Sequence, residues 1–370
     1  MKFITHTLIL LLMVFANPAI GQDSEKSSYD KIWGKVSLFE NKDGDILQKL
    51  LFTGRLQGDY VSFDDSSAGS LRDFNWRRFR VGLKASIFDR FTLHSEADLN
   101  LQEPESLYNR LTDTYISWTS SSGIKFKVGK QSAPFTLDGS TSSKKLFAME
   151  RSKVAGNLWF SREYFSGATI SGKRDKWEYI AGLYSSDGGT EFDQAFDAGR
   201  FLLFSIGYNF RERFDLENAL VRLDHVNNSE DPDNGTSKNK NITSIVGKFD
   251  KGRRHLWADL SLSDGYGGQS DLLGLQLMPF YDITDKTQVV FRYTHVDSPD
   301  GNCIKLNRYE KTLVSGKGNN ANEYFFGLNH YFYGHKLKWQ NGLQYTDMKI
   351  SGAGGSYNGW GFTSGLRISW

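Results

Sequence analysis

Two-residue alternation runs through most of this chain and constrains its fold more than any other feature. Near the end, Trp360, Phe362, Leu366, Ile368 and Trp370 fall on one face, opposite Gly361, Thr363, Gly365, Arg367 and Ser369. Leu337, Trp339, Leu343 and Tyr345 oppose Lys338, Gln340, Gln344 and Thr346, and Ile124, Phe126 and Val128 oppose Lys125 and Lys127. Successive strand side chains point to opposite faces, so these stretches read as strands with one oily and one polar side. The links between strands alternate in length. Tight ones sit at residues 89–90, 119–123, 173–176, 209–214, 250–254, 282–285 and 334–335. Long ones span residues 62–73, 99–110, 130–162, 187–200, 226–240 and 297–322. Turns on one rim and loops on the other are the pattern of an outer-membrane barrel, whereas a Greek-key sandwich need not show it. The expected fold is all-β: an antiparallel transmembrane β-barrel of about sixteen strands.

Composition agrees and excludes other classes. No stretch after Gln22 reaches 18 consecutive apolar residues, the length a membrane-spanning helix requires. Lys plus Arg number 45 against 43 Asp plus Glu, a net +2 that gives no support for nucleic-acid binding. The one cysteine, Cys303, can make neither an internal disulfide nor a thiolate metal cluster. Lys2, an apolar run over residues 8–16 and the small residues of Ala19-Ile20-Gly21 read as a secretory signal over 1–21, cut before Gln22. Residues 22–50 are less regular and are assigned to a periplasmic N-terminal segment, with the barrel over 51–370. Trp118, Phe160, Trp177, Tyr208, Tyr281, Trp339 and Trp370 lie near strand ends, as interfacial aromatic girdles do.

No catalytic constellation accompanies these strands. Gly-x-Ser-x-Gly, His-Glu-x-x-His and the phosphate-cradling Gly-x-x-x-x-Gly-Lys-Ser/Thr are absent, and Asp224 and His225 fall on opposite faces of one strand. The reading is therefore not an enzyme, with no cofactor and no metal. Alternation sends Arg55, Arg78, Arg80, Lys84, Lys125, Lys127, Arg222, Arg292, Lys338 and Arg367 inward. Asp59, Glu96, Asp98, Asp113, Glu178, Asp224 and Asp259 join them. Inward side chains replace the hydration a solute would lose in hydrocarbon, so they are expected to be polar, and their charge leans weakly toward anions.

Three stretches together resemble the phosphate-selective porin O/P family. They are Trp76-Arg77-Arg78-Phe79-Arg80-Val81-Gly82-Leu83-Lys84, Leu111-Thr112-Asp113-Thr114-Tyr115-Ile116, and Lys127-Val128-Gly129-Lys130-Gln131-Ser132-Ala133-Pro134-Phe135. Ser142-Ser143-Lys144 and Met149-Glu150-Arg151-Ser152 follow the third. The resemblance implies a sixteen-stranded homotrimeric barrel in the outer membrane of a Gram-negative-type bacterium. It also implies a third long loop folded into the lumen, and residues 130–162 hold that place. By the same resemblance Lys144 is the eyelet lysine that holds an anion, Arg78 and Arg80 face it, and Asp113 is a screening acid. Lys145 and Arg151 complete the constriction set. The function so implied is passive diffusion of small hydrophilic solutes, anions favoured and phosphate among them. An unselective or sugar-conducting porin, and a soluble secreted protein that binds or cleaves glycans, are the alternatives.

Overall fold

A computed structural model describes residues 27–102, 105–192, 195–351 and 356–370. The chain divides into two units, Met1–Lys35 and Val36–Trp370. In the first, helix Ser28–Gly34 starts at a capping box in which Ser27 and Asp30 satisfy each other's main-chain N–H groups. The expected signal peptide lies outside the described residues.

The second unit is a closed antiparallel ring of sixteen strands, running from Leu47–Asp65 to Tyr357–Ser369. Each strand pairs with its sequence neighbour in the ring, and the last pairs back onto the first from Gly361 opposite Phe63 to Ser369 opposite Arg55. The soluble sandwich alternative is thereby excluded. A short strand, Ser37–Glu40, adds to the lower end of Leu47–Asp65. The barrel unit thus takes in Val36–Leu50, which the sequence reading set apart. The polar turn at Asn41 to Asp45 interrupts the alternation there and hides a small hairpin.

Burial follows the alternation. Along Tyr357–Ser369 the odd-numbered residues are buried and the even-numbered ones partly or fully exposed. The outward set is Leu, Phe, Ile, Val and Trp around the ring, including Leu260, Leu277, Phe291, Phe326 and Leu343. An oily outer face with every backbone group paired in a closed ring is the state that hydrocarbon permits. Trp177 and Tyr281 are exposed near strand ends, as interfacial rings are. Phe160 is not among them. It is fully buried, edge-on to Phe135 and Phe201 at 5.0 and 5.1 Å.

The inner face departs from uniform polarity. Phe201, Leu203, Val226 and Ile242 on wall strands cluster with Ala133, Phe135, Ala155 and Trp159 from the segment 133–163. Leu272, Val296, Ala321, Met348 and Tyr357 cluster with Val154 and Leu158, and with Cys303, Ile304 and Leu306 of the segment 298–319. Segments held by hydrogen bonds alone would gain little over water, so apolar inward residues supply the burial that anchors them.

Several register shifts break the count of two, and two bulges among them bear on the site. Gln57 opposes Arg78 but Gly58 opposes Trp76, leaving Arg77 as an extra residue. Ser95 opposes Thr114 but Ala97 opposes Leu111, so Thr112 and Asp113 together face Glu96. A bulge re-aims side chains locally, and both lie beside the candidate site.

The wall makes a direct test possible. Leu277→Arg places a cation on the lipid face and is expected to cost about 2–4 kcal/mol near the bilayer midplane. Denaturant unfolding from lipid vesicles measures it. A neutral outcome contradicts a lipid-facing Leu277.

Candidate functional site

The segment 133–163 is held by inward side chains from strands all around the ring. Thr136 N donates to Asp224 at 3.0 Å and Leu137 N to Asp259 at 2.7 Å. Gln57 donates to Ser143 O at 3.2 Å, Lys338 to Leu146 O at 2.6 Å, Asn329 to Phe147 O at 2.9 Å and Arg292 to Glu150 O at 2.9 Å. The segment is thus bonded to the buried faces of strands far apart around the ring. The second segment, 298–319, bonds to the same space. Tyr309 donates to Asp59 at 3.2 Å, and Glu310 accepts from Gln344 at 2.9 Å and Thr346 at 2.5 Å. Lys153 joins the two segments through Glu310, with Glu323 of the wall 3.6 Å away.

Much of the inward charge is thereby committed to structure. Arg222 pairs with Asp224 at 2.8 Å, Arg292 with Glu323 at 2.7 Å, and Arg367 with Asp59. The charges free to meet a solute gather on the wall formed by Gly69–Ile87, Phe91–Leu99, Tyr108–Thr119 and Lys125–Ser132. There Lys84, Asp113, Lys125 and Lys127 stay only half-buried.

Of the residues named from sequence, Arg78, Arg80 and Arg151 meet at one carboxylate, Glu163. The distances are 3.9, 3.5 and 3.2 Å, with Arg110 at 3.5 Å. Arg80 also pairs with Asp98 at 3.1 Å and donates to Tyr164 at 2.5 Å. Arg151 lies over the Trp159 ring at 4.5 Å. Burial alone would raise the Glu163 carboxyl, but Arg151, Arg78, Arg80 and Arg110 outweigh it and hold it well below the usual carboxylate range. Glu150 is treated alike: against burial, Arg77 and then Arg78 bring it down to about 2.

Lys144 lies apart from this cluster. Its ammonium donates to the main-chain oxygen of Trp370 at 3.0 Å. Arg55 and Arg80 are among the charges it feels, with Glu96 and Asp113 opposing them. Burial, aided by the two arginines, outweighs those acids and pulls Lys144 down to about 8. Asp113 makes no hydrogen bond or ion pair among the described residues and acts on its neighbours through space. Lys145 is exposed and bonds to none of the others. Sequence reasoning missed Arg77, Arg110 and Arg308. Arg77 reaches Glu150 with two bonds, at 2.5 and 3.1 Å, because the bulge turns it from the lipid side. The adjacent arginines of Trp76-Arg77-Arg78 were the available signal, since strict alternation would have put one of them in hydrocarbon.

With this geometry in hand, residues 51–201 match the family described as Phosphate-selective porin O and P. That is the family the sequence motifs resembled, and the match covers less than half of the chain. The match takes in Arg55, both bulges, the segment 133–163 and Glu163. Among solved structures, OmpT of Vibrio cholerae is 14% identical with a TM-score of 0.57, covering 88% of this chain and all of its own. The outer membrane channel DcaP of Acinetobacter baumannii is 13% identical at 0.59, covering 90% of this chain and 99% of its own. Salmonella typhi OmpF, solved with daunomycin, is 12% identical at 0.62, covering 90% of this chain and 100% of its own. No curated relative matches. The fold, the family match and the oily wall together make this porin a protein of the Gram-negative outer membrane.

Glu163 supplies the prediction for this site. Glu163→Gln leaves four guanidiniums without their shared counter-charge and is expected to cost about 3 kcal/mol at neutral pH. Its folded-state pKa is lowered, so the contribution is complete above the unfolded glutamate value, about 4.3, and fades as pH falls toward the lowered one. Denaturant titrations of both forms at pH 7 and pH 3 check the size and the sign.

Proposed function

We propose that this porin passes small hydrophilic solutes by diffusion and favours anions, phosphate among them. The single observation that carries the reading is the convergence of Arg78, Arg80, Arg110 and Arg151 on one carboxylate, with Lys144 apart from them but within electrostatic reach of Arg80, and Lys84, Lys125 and Lys127 half-buried on the same wall. These four guanidiniums meet Glu163 with only Asp98 and Glu96 as further partners, which leaves a local positive surplus. In a narrow aqueous space an anion about 4 Å from one unmatched cation gains roughly 4 kcal/mol at an effective dielectric of about 20, against about 1 kcal/mol in bulk water. Glu163, Glu96, Asp98 and Asp113 temper that surplus, and a conducting site needs such tempering because it must release what it binds.

In this reading the segment 133–163 narrows the pore against the wall 69–132. Lys144, Arg78, Arg80 and Arg151 act on the passing anion, Asp113 screens, and Lys145 contributes at longer range. Homotrimeric assembly belongs to the same proposal. One OmpT structure is described as a trimer form, and the oily wall here leaves room for such contacts. A purely neutral-sugar pore is the weaker alternative, since it has no use for this concentration of guanidinium.

Reversal potentials in a salt gradient across planar bilayers test the reading. Wild type is expected to favour anions, and Lys144→Glu to shift the potential toward cations; an unchanged potential removes Lys144 from the site. A cation with a lowered pKa loses its charge as pH rises through that value. Anion preference is therefore expected to fall between pH 7 and pH 9.5, and a flat profile contradicts a role for Lys144.

A further inference from the structure

We propose that the cavity under Arg308 is a subsite for hydroxylated monoanions of the acidic-sugar class. The second inward segment, which carries Arg308, would set that preference. The proposal deepens the anion-favouring reading above and rests on it.

The cavity measures about 630 Å³, within the span of small-molecule sites, about 300–1,000 Å³. It lies between the upper half of strand Gly69–Ile87, the chain after Leu99, Glu163 and Arg308. Among its cations, four are already matched. Arg77 is bonded to Glu150, Arg78 and Arg110 share Glu163, and Arg80 pairs with Asp98. Arg308 differs. The residue is exposed and its guanidinium makes no hydrogen bond or ion pair among the described residues; Arg77 and, at longer range, Glu150 and Asp59 act on it only through space. One unmatched guanidinium calls for one negative charge, and a carboxylate meets its fork geometry with two bonds.

The remaining lining does not suit a bare inorganic anion. Asp98, Glu105 and Glu163 face the same space, and their oxygens repel a second negative charge while accepting hydrogen bonds from hydroxyls. Amides supply the rest. Asn75 and Asn109 make no side-chain bond among the described residues. Gln102 uses its oxygen on Trp76 N at 2.7 Å, which leaves its NH₂ free. Amides both donate and accept, so they match the mixed demands of a polyol. One carboxylate on Arg308 and several hydroxyls on amide and acid groups is the outline of a sugar acid. Phosphate would use Arg308 and leave the amides to water.

The full chain in planar bilayers tests this with glucuronate, inorganic phosphate and glucose as blockers of the chloride current. Glucuronate is expected to half-block at a concentration at least tenfold below either of the others. Arg308→Gln should raise that concentration about tenfold, with Arg308→Lys recovering part of it. Asn75→Ala should weaken glucuronate block and leave phosphate block as it was. Equal or better block by phosphate, or a glucuronate block indifferent to Arg308→Gln, overturns the proposal. None of these three variants removes a side-chain bond among the described residues, so heat-modifiable gel mobility is expected to persist in all of them. Wild-type reversal potential, recorded in the same bilayers, separates the two readings. No anion preference sinks the anion-favouring reading itself, whereas preserved preference with unselective block sinks only this subsite.

Discussion

Every part of this structure depends on backbone hydrogen bonds having no water to fall back on. In hydrocarbon an unpaired N–H or C=O costs several kcal/mol, so a sheet survives there only when its last strand returns to its first. The pairing of Tyr357–Ser369 with Leu47–Asp65 is that return. Once the ring closes, side-chain direction has only two meanings, toward lipid or toward the interior. Oily residues on one face are then a requirement of the solvent and do not form a core.

The interior solves a different problem. A ring of sixteen strands is too wide to be filled by its own side chains, so chain has to be brought in. The inward face of the wall holds segments 133–163 and 298–319 with two kinds of contact. Apolar clusters around Phe160 and around Leu158 provide burial. Inward charges such as Asp224, Asp259, Arg292 and Lys338 satisfy main-chain groups of the entering segment. That is why many inward charges do not meet solute. The charges that remain are concentrated on one side of the ring, where these two bulges lie.

Much of this was legible in the sequence because lipid enforces alternation along stretches such as Trp360 to Trp370, broken there only by Ser364. The turn-and-loop rhythm then gave the ring, and the position of residues 130–162 directed attention to Lys144, Arg78 and Arg80. What escaped notice has physical reasons. A bulge adds one residue to a count of two, so Arg77 looked like a lipid-facing position. Phe160 has the character of a girdle ring, and only its contacts with Phe135 and Phe201 show it to be an anchor. Nothing local in residues 298–319 distinguishes a loop that folds inward from one that stays outside. That information sits in pairs far apart in the chain, such as Lys153 with Glu310 and Tyr309 with Asp59.

The central claim is that adjacent residues of one strand live in different solvents, and Phe126 and Lys127 are a clean pair for it. Single cysteines at each position, in a Cys303→Ser background, can carry a fluorophore in lipid vesicles whose acyl chains bear nitroxides. The account predicts strong quenching at 126 and little at 127, with the reverse order for a water-soluble quencher. Equal responses at the two positions would contradict it.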